Sequence, residues 1–400
     1  MIIRFLGAQW LAVGFVGIIS LTVSILIARV LGPESFGVYS VALSGGAIVA
    51  ILLDGGFCRL LQRERAHPTP ALLQFLPLLP QAALGHVIIA ASIFSLIAVL
   101  VLPKHALTIV AVIWFFAASV TNQFGLSILR GDGRMVRDAS WQIGNRTFTA
   151  LCVVSVILMG AEKPWQIFFA QFIGATAFGL LIMRYLRTRP LWKIPPSIYA
   201  ATLPFVWLDL ATVLYFRADM LLLEWLDVPK FEVGKYGVAY RLIEAVILLA
   251  SPVGLILFRK FRLSSGSPKQ MLQNMLPALI GAQVVGLLVM IFLLVCSTPL
   301  ISLVYGHAYA GADHILAILG VALLFILPNG VLTQAALALG IERWLAISAS
   351  FVAVINIAGN ILLIPSHGLV GVAWMTVVTE GLLGCCIGLG LWRHRNRENI

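Results

Sequence analysis

The chain has 400 residues, 60% of them hydrophobic and only 11% charged, with a mean hydropathy of +1.01. Soluble domains carry about 25% charged residues, so this composition excludes a soluble enzyme or binding module. The net charge of +11 raises nucleic acid as a partner, but the basic residues cluster after every second apolar segment, as in the cytoplasmic loops of a membrane protein.

Apolar runs of 18 residues or more recur along the chain, and each reads as a transmembrane helix. Twelve spans are predicted, at roughly 5–30, 36–58, 77–102, 106–129, 139–160, 165–186, 202–226, 235–258, 277–298, 311–338, 342–364 and 369–392. The first run is long for a signal peptide and ends at Gly32-Pro33, so it is read as a span. Short connections carry breakers such as Pro68, Pro103, Gly131, Pro164, Pro229, Pro299, Gly340 and Pro365.

Basic clusters follow alternate spans: Arg59, Arg63 and Arg65; Arg130, Arg134 and Arg137; Arg184, Arg187, Arg189 and Lys193; Arg259, Lys260, Arg262 and Lys269; Arg343; and Arg393, Arg395 and Arg397. An even number of spans puts both termini in the cytoplasm. The expected fold class is therefore an all-α polytopic membrane protein. Its N-terminal six-helix lobe is 1–186, its C-terminal lobe 198–400, and a basic, proline-rich cytoplasmic linker occupies 187–197. Cys58, Cys152, Cys296, Cys385 and Cys386 all lie in apolar runs without metal-ligand spacing, so neither a disulfide framework nor a cofactor is expected.

Residues 216–249 repeat an earlier stretch at an offset of 197. Gly234, Tyr236 and Ala239 fall on Gly37, Tyr39 and Ala42, and Lys260 and Arg262 fall on Arg63 and Arg65. Twelve spans with such a repeat make two parallel halves, related by an axis along the membrane normal. Four charges break the repeat. Arg217, Asp219, Arg241 and Glu244 fall on Ser20, Thr22, Ser44 and Ala47.

Several stretches carry a family resemblance. Ala28 to Tyr39 (ARVLGPESFGVY), Leu129 to Arg134 (LRGDGR), Leu303 to Gly306 (LVYG) with Tyr309, Ala338-Leu339-Gly340, and Asn356 … Asn360 to Pro365 with Gly368 to Ala373 occur in the order and spacing of the Wzx-type polysaccharide flippases. The chain resembles that family, and through it the multidrug/oligosaccharidyl-lipid/polysaccharide exporter superfamily. The resemblance implies a protein of the cytoplasmic (inner) membrane. It would carry an oligosaccharide on polyisoprenyl diphosphate from the inner to the outer leaflet, for O-antigen or exopolysaccharide assembly. The implied partners are the lipid-linked oligosaccharide, membrane lipids, and polysaccharide polymerase and chain-length proteins.

The four intramembrane charges are the leading candidate site. Counted from the helix ends at Leu226 and Lys235, Arg217 and Glu244 lie about 13 Å deep, and Asp219 and Arg241 about 10 Å deep. Antiparallel neighbours then pair Arg217 with Glu244 and Asp219 with Arg241. Each lone charge near a helix centre costs about 2.5–3.5 kcal/mol, so the four form ion pairs or line a wet cavity. In the second case Arg217 and Arg241 meet the diphosphate, since a planar guanidinium binds phosphate oxygens bidentately. Arg146, about 12 Å into the fifth span, is a third cation for that headgroup, beside Asn145. Asp209 and Glu380 also lie inside spans and are candidates for ion coupling, by proton or sodium, alongside Asp219 and Glu244 as charge partners. Asp54 is expected to pair with Arg59.

Arg130 to Arg134 lacks the spacing and the Lys-Ser/Thr of a phosphate loop and reads as a tight turn. His86 reads as a satisfied bundle histidine, and Trp10, Trp114, Trp141, Trp207 and Trp374 as packing or interface residues. The rival readings are a multidrug exporter, a membrane glycosyltransferase or polymerase, and a non-transporting scaffold. Cationic drugs want acidic or aromatic cavities, whereas deep arginines suit an anion. A glycosyltransferase wants a long external loop with catalytic carboxylates, and no external loop exceeds about 15 residues by the span assignment above.

Overall fold

The computed structural model describes residues 2–66, 68–186, 189–264 and 268–398. Arg187 and Gly266 lie outside the described residues, as do the side chains of Arg4, Trp10, Lys269, Arg395 and Arg397. Among the described residues all regular structure is helical: α1 (Ile2–Asp54), α2 (Phe57–Ala66), α3 (Leu79–Val101), α4 (Ala106–Gly131), α5 (Met135–Leu158), α6 (Pro164–Leu186), α7 (Pro196–Trp225), α8 (Lys230–Ser264), α9 (Pro268–Val304), α10 (Ala312–Ala338) and α11 (Glu342–Glu398), with two short 3₁₀ turns.

Two of these are double. Helix α1 breaks at Gly32 (φ 68°, ψ 171°), a conformation closed to side-chain-bearing residues. Pro33 then starts the next helix, where its missing N–H costs nothing. Helix α11 breaks likewise at Gly368 (φ 52°). Helix α2 extends the second part of α1 past a turn at Gly55 and Gly56. Counting α1 and α11 twice gives the twelve expected spans among the described residues. Seven helical stretches, both double helices included, are long and apolar enough to cross a membrane by length and composition. Arg146 lies on α5, Asp209, Arg217 and Asp219 on α7, and Arg241 and Glu244 on α8.

Contacts divide the chain into two compact units. The first joins residues 1–31 to 38–213, the second joins 32–37 to 214–400. The expected lobes divide at 187–197. The first half of α7 groups with the first unit because its side chains and backbone dock there. Ile198 is fully buried, and a side chain on Gly56 would collide with the Thr202 carbonyl. Arg63 lies over the Phe205 ring at 5.2 Å, and Arg59 holds Asp209. The linker end is tied to α3 by the Leu191 amide, which donates to the Gln81 carbonyl at 2.9 Å.

Each unit is built around its fourth span. In the first, α4 packs on α2, α3 and α6; in the second, α10 packs on α8, α9 and α11. The first core centres on Leu53, Phe57, Leu60, Ala82, Ala83 and Phe124. The second has Phe261, Met271, Val331, Ala335 and Ala338. Leucines and valines such as Val295, Leu362 and Leu288 remain exposed, the surface that hydrocarbon covers in a membrane.

One crossing in the second unit records the repeat directly. A side chain on Gly37 would collide with the Lys230 carbonyl, and one on Gly234 would collide with the Pro33 carbonyl. Both pairs, Gly37 with Gly234 and Pro33 with Lys230, are separated by the offset of 197. Equivalent residues thus meet equivalent residues, as at a two-fold axis. Glycine lets the backbones touch. Gly37→Leu or Gly234→Leu should each lower the melting temperature of the purified protein in detergent, at a cost of about 1–3 kcal/mol or more from overpacking. Gly330→Ala, in open space, should leave it unchanged.

Candidate anion and cation sites

The charged residues of α7 and α8 meet in the second unit. Arg217 Nη2 lies 2.9 Å from Glu244 Oε1, and Arg241 Nη1 donates to Glu244 Oε2 at 2.6 Å. The level pairing of Arg217 with Glu244 is therefore present. The other expected pair is not. Asp219 Oδ2 accepts a hydrogen bond from the Tyr236 hydroxyl at 2.5 Å, and Arg241 shares Glu244 instead.

Helix geometry explains the difference. Arg241 and Glu244 are three residues apart and lie on one face of α8. Arg217 and Asp219 are two apart, about 200° around α7, so both cannot face the same stripe. Depth was matched between the four residues; azimuth was not. The result is two guanidiniums on one carboxylate, with side chains 21–28% exposed. The cluster remains partly open.

On the other face of α7, Asp219 enters a second group. A cavity of about 30 Å³ is lined by Asp219, Tyr240, Asn356, Thr376, Thr379 and Glu380, with apolar residues of α8 and α10. That is room for one or two waters. Asn329 Nδ2 donates to Glu380 Oε2 at 2.9 Å and to the Glu380 carbonyl at 2.8 Å. Asn360 Nδ2 donates to Asn356 Oδ1 at 3.0 Å, and Asn356 Nδ2 to Thr379 Oγ1 at 3.3 Å. Asp219 and Glu380 are both buried. Two carboxyls, amide oxygens and hydroxyls around a water-sized space form a hard oxygen donor set, suited to a proton or a small cation. Tyr240 lines the same cavity, one residue before Arg241 on α8.

The remaining candidates lie in the first unit. Arg146 Nε donates to Ser20 Oγ at 2.6 Å, and Ser20 passes its own proton to the Val16 carbonyl. Ser20 is the residue that the repeat aligns with Arg217, so a guanidinium delivered from α5 stands at the equivalent position of the first half. Asp209 is held by Arg59 through Nε and Nη2, at 2.6–3.1 Å. It is thus an ion-pair partner joining α7 to α2, and it is not part of the Asp219–Glu380 cavity. The expected pairing of Asp54 with Arg59 is replaced, because Asp54 caps the break after α1. Its oxygens accept from the amides of Gly56 and Cys58 at 3.1 and 3.0 Å.

His86 is satisfied as expected, by the Leu52 carbonyl at 2.9 Å and the Tyr199 hydroxyl at 3.2 Å. Arg130 to Arg134 forms the expected tight turn at Gly133 (φ 72°), with Arg130 paired to Asp138. Trp114 and Trp141 pack edge-on against Phe172 and Phe178, while Trp207 and Trp374 are exposed.

The sequence reading missed Tyr236, Tyr240, Asn329 and Thr379. Tyr236 lies in the duplicated turn and so read as framework. The pair Asn356 and Asn360, at helical i, i+4 spacing on α11, was the available signal for the cavity.

A helical, two-lobed bundle with charged groups buried inside one lobe defines a class, the polytopic membrane proteins with a transporter fold. The chain belongs to the polysaccharide biosynthesis protein family, whose model matches residues 7–258. No curated protein matches the sequence at a significant level. Among solved structures, the lipid II flippase MurJ in an inward closed conformation is similar with a TM-score of 0.79 and 15% identity, over 97% of this chain and 87% of that one. An inward-facing multidrug resistance MATE family transporter of the MOP superfamily has a TM-score of 0.74 and 15% identity, over 95% and 93%. A MOP superfamily transporter from Pyrococcus furiosus, described as having a binding pocket of reversed polarity, has a TM-score of 0.63 and 13% identity, over 98% and 96%. At these identities the likeness is one of fold.

The shared carboxylate should matter to stability. Glu244→Gln leaves two guanidiniums side by side, and should cost about 1–3 kcal/mol in thermal unfolding. That is less than the 3–5 kcal/mol of a fully buried pair, because water still reaches the cluster. A double-mutant cycle of Arg217→Gln with Glu244→Gln should return a coupling of at least about 0.5 kcal/mol.

Proposed function

We propose that the protein is a flippase for a saccharide carried on polyisoprenyl diphosphate, moved from the inner to the outer leaflet of the cytoplasmic membrane for polysaccharide assembly, O-antigen or exopolysaccharide. The observation that carries this reading is the pair Arg217 and Arg241 on the single carboxylate of Glu244. A diphosphate cannot cross hydrocarbon unaided. The guanidinium donors there offer it charge-assisted, bidentate hydrogen bonds. Family membership supplies the saccharide side of the reading. Arg146 is the contribution of the first unit. The fold is shared with a multidrug transporter, so the sign of the buried charge favours this cargo over a cationic drug. The same cluster supports transport over glycosyl transfer. Both termini and the basic loops face the cytoplasm in this reading, beside polymerase and chain-length partners at the membrane.

Energetics fits an outward anion. With the interior negative, a doubly charged headgroup gains about 4.6 kcal/mol per 100 mV on moving out. Coupling to a cation then serves to reset the carrier. The Asp219–Glu380 cavity is where we place a proton or sodium ion.

Two tests follow. In proteoliposomes, the wild-type protein should accelerate transfer of labelled lipid-linked oligosaccharide between leaflets. Arg217→Ala and Arg241→Ala should insert normally and lose about tenfold or more of that rate, the loss of a hydrogen bond to a charged group. A wild-type protein that leaves transfer at the lipid-only rate sinks the flippase reading. Separately, an imposed sodium or proton gradient should change the wild-type rate and leave Glu380→Gln indifferent; a wild-type rate insensitive to both gradients removes the coupling site.

A further inference from the structure

A single amide of α10 clamps Glu380 of α11. Asn329 Nδ2 donates to Glu380 Oε2 at 2.9 Å and to the carbonyl of the same residue at 2.8 Å. The carboxylate is thereby pinned to its own backbone. Chemistry fixes the orientation of the amide, since the reverse one would set an oxygen against two acceptors. Asn329 and Glu380 are both buried, so these bonds are made in an interior where they are stronger than in water.

The amide owes its place to a glycine. Gly384 lies one turn beyond Glu380 on the same face of α11, and a side chain there would stand 2.6 Å from Asn329 Oδ1. The missing side chain makes room for the amide. Gly388, a further turn along, faces open space. Glu380 and Gly384 thus form a seat into which Asn329 fits.

The clamp serves the cavity. Glu380 lines it together with Asp219, and Asp219 has a donor of its own, the Tyr236 hydroxyl. Neither Asn329 nor Tyr236 is a lining residue, so each acid is oriented from behind. A long glutamate side chain loses rotamer freedom when an ion fixes it. Fixing it beforehand removes that cost from binding.

We propose that Asn329, seated on Gly384, is a positioning residue of the cation cavity: it holds the Glu380 carboxylate at the space shared with Asp219 and thereby sets the affinity for a sodium ion. The proposal rests on the cation-site reading above. Asn329 acts through Glu380, as the outer partners of metal-binding carboxylates do. An amide orients the carboxylate as a lysine or arginine would, but leaves its charge for the cation.

The test is thermal unfolding of the purified full-length protein in detergent, titrated with sodium chloride and, at matched ionic strength, with choline chloride. Sodium that binds the folded state raises the melting temperature according to its affinity. Asn329→Leu keeps a branched side chain and removes the donor. Gly384→Ala keeps every donor and acceptor and displaces the amide; it carries the test alone if Asn329→Leu does not fold. Each should raise the sodium concentration needed for a given stabilisation about tenfold or more, whereas Gly388→Ala should leave it at the wild-type value. If the variants respond to sodium at the wild-type concentration, whatever their melting temperature without it, the amide only joins α10 to α11; the proposal is overturned and the cavity stands. A wild-type protein that gains no more from sodium than from choline overturns the sodium reading of the cavity, and the role of Asn329 with it.

Discussion

The second unit depends on one carboxylate shared by two arginines. Glu244 allows Arg217 and Arg241 to sit together on neighbouring helices without prohibitive repulsion. Asp219 does not face the same stripe; it faces Tyr236. The two-residue spacing on α7 turns that acid away from the arginines and into a cavity with Glu380. A single stretch of helix thus carries Arg217 into one group and Asp219 into the other.

The architecture was largely legible in the residues because a membrane leaves few choices. Spans must be long, apolar and helical, and the breaks fall on Gly32-Pro33 and Gly368, where only glycine fits the backbone. The repeat was legible too, and its meaning is physical: Gly37 and Gly234 are alike because they meet each other across an axis. The site was legible in part. Depth along a helix follows from counting, so Arg217 and Glu244 were matched. Rotation about the helix axis depends on packing, so the partner of Asp219 was not. The pairing of Arg59 with Asp209 escaped for a related reason. Gly55 and Gly56 break the helix after Asp54, which engages Asp54 in capping and frees Arg59 for α7.

The two halves share a frame and differ in chemistry. Both use their fourth span as a hub, and both carry a guanidinium at the position of Arg217, one native to α7 and one brought by Arg146 to Ser20. In the second unit Asn329 holds Glu380, and Asn356 and Thr379 line the cavity of Asp219 and Glu380.

The central claim is that the protein recognises the anionic headgroup. It is tested most directly by comparing, in the same proteoliposomes, transfer of one oligosaccharide carried on prenyl diphosphate with the same oligosaccharide carried on an uncharged lipid. The account predicts that only the diphosphate form is accelerated. Equal acceleration of both would contradict it.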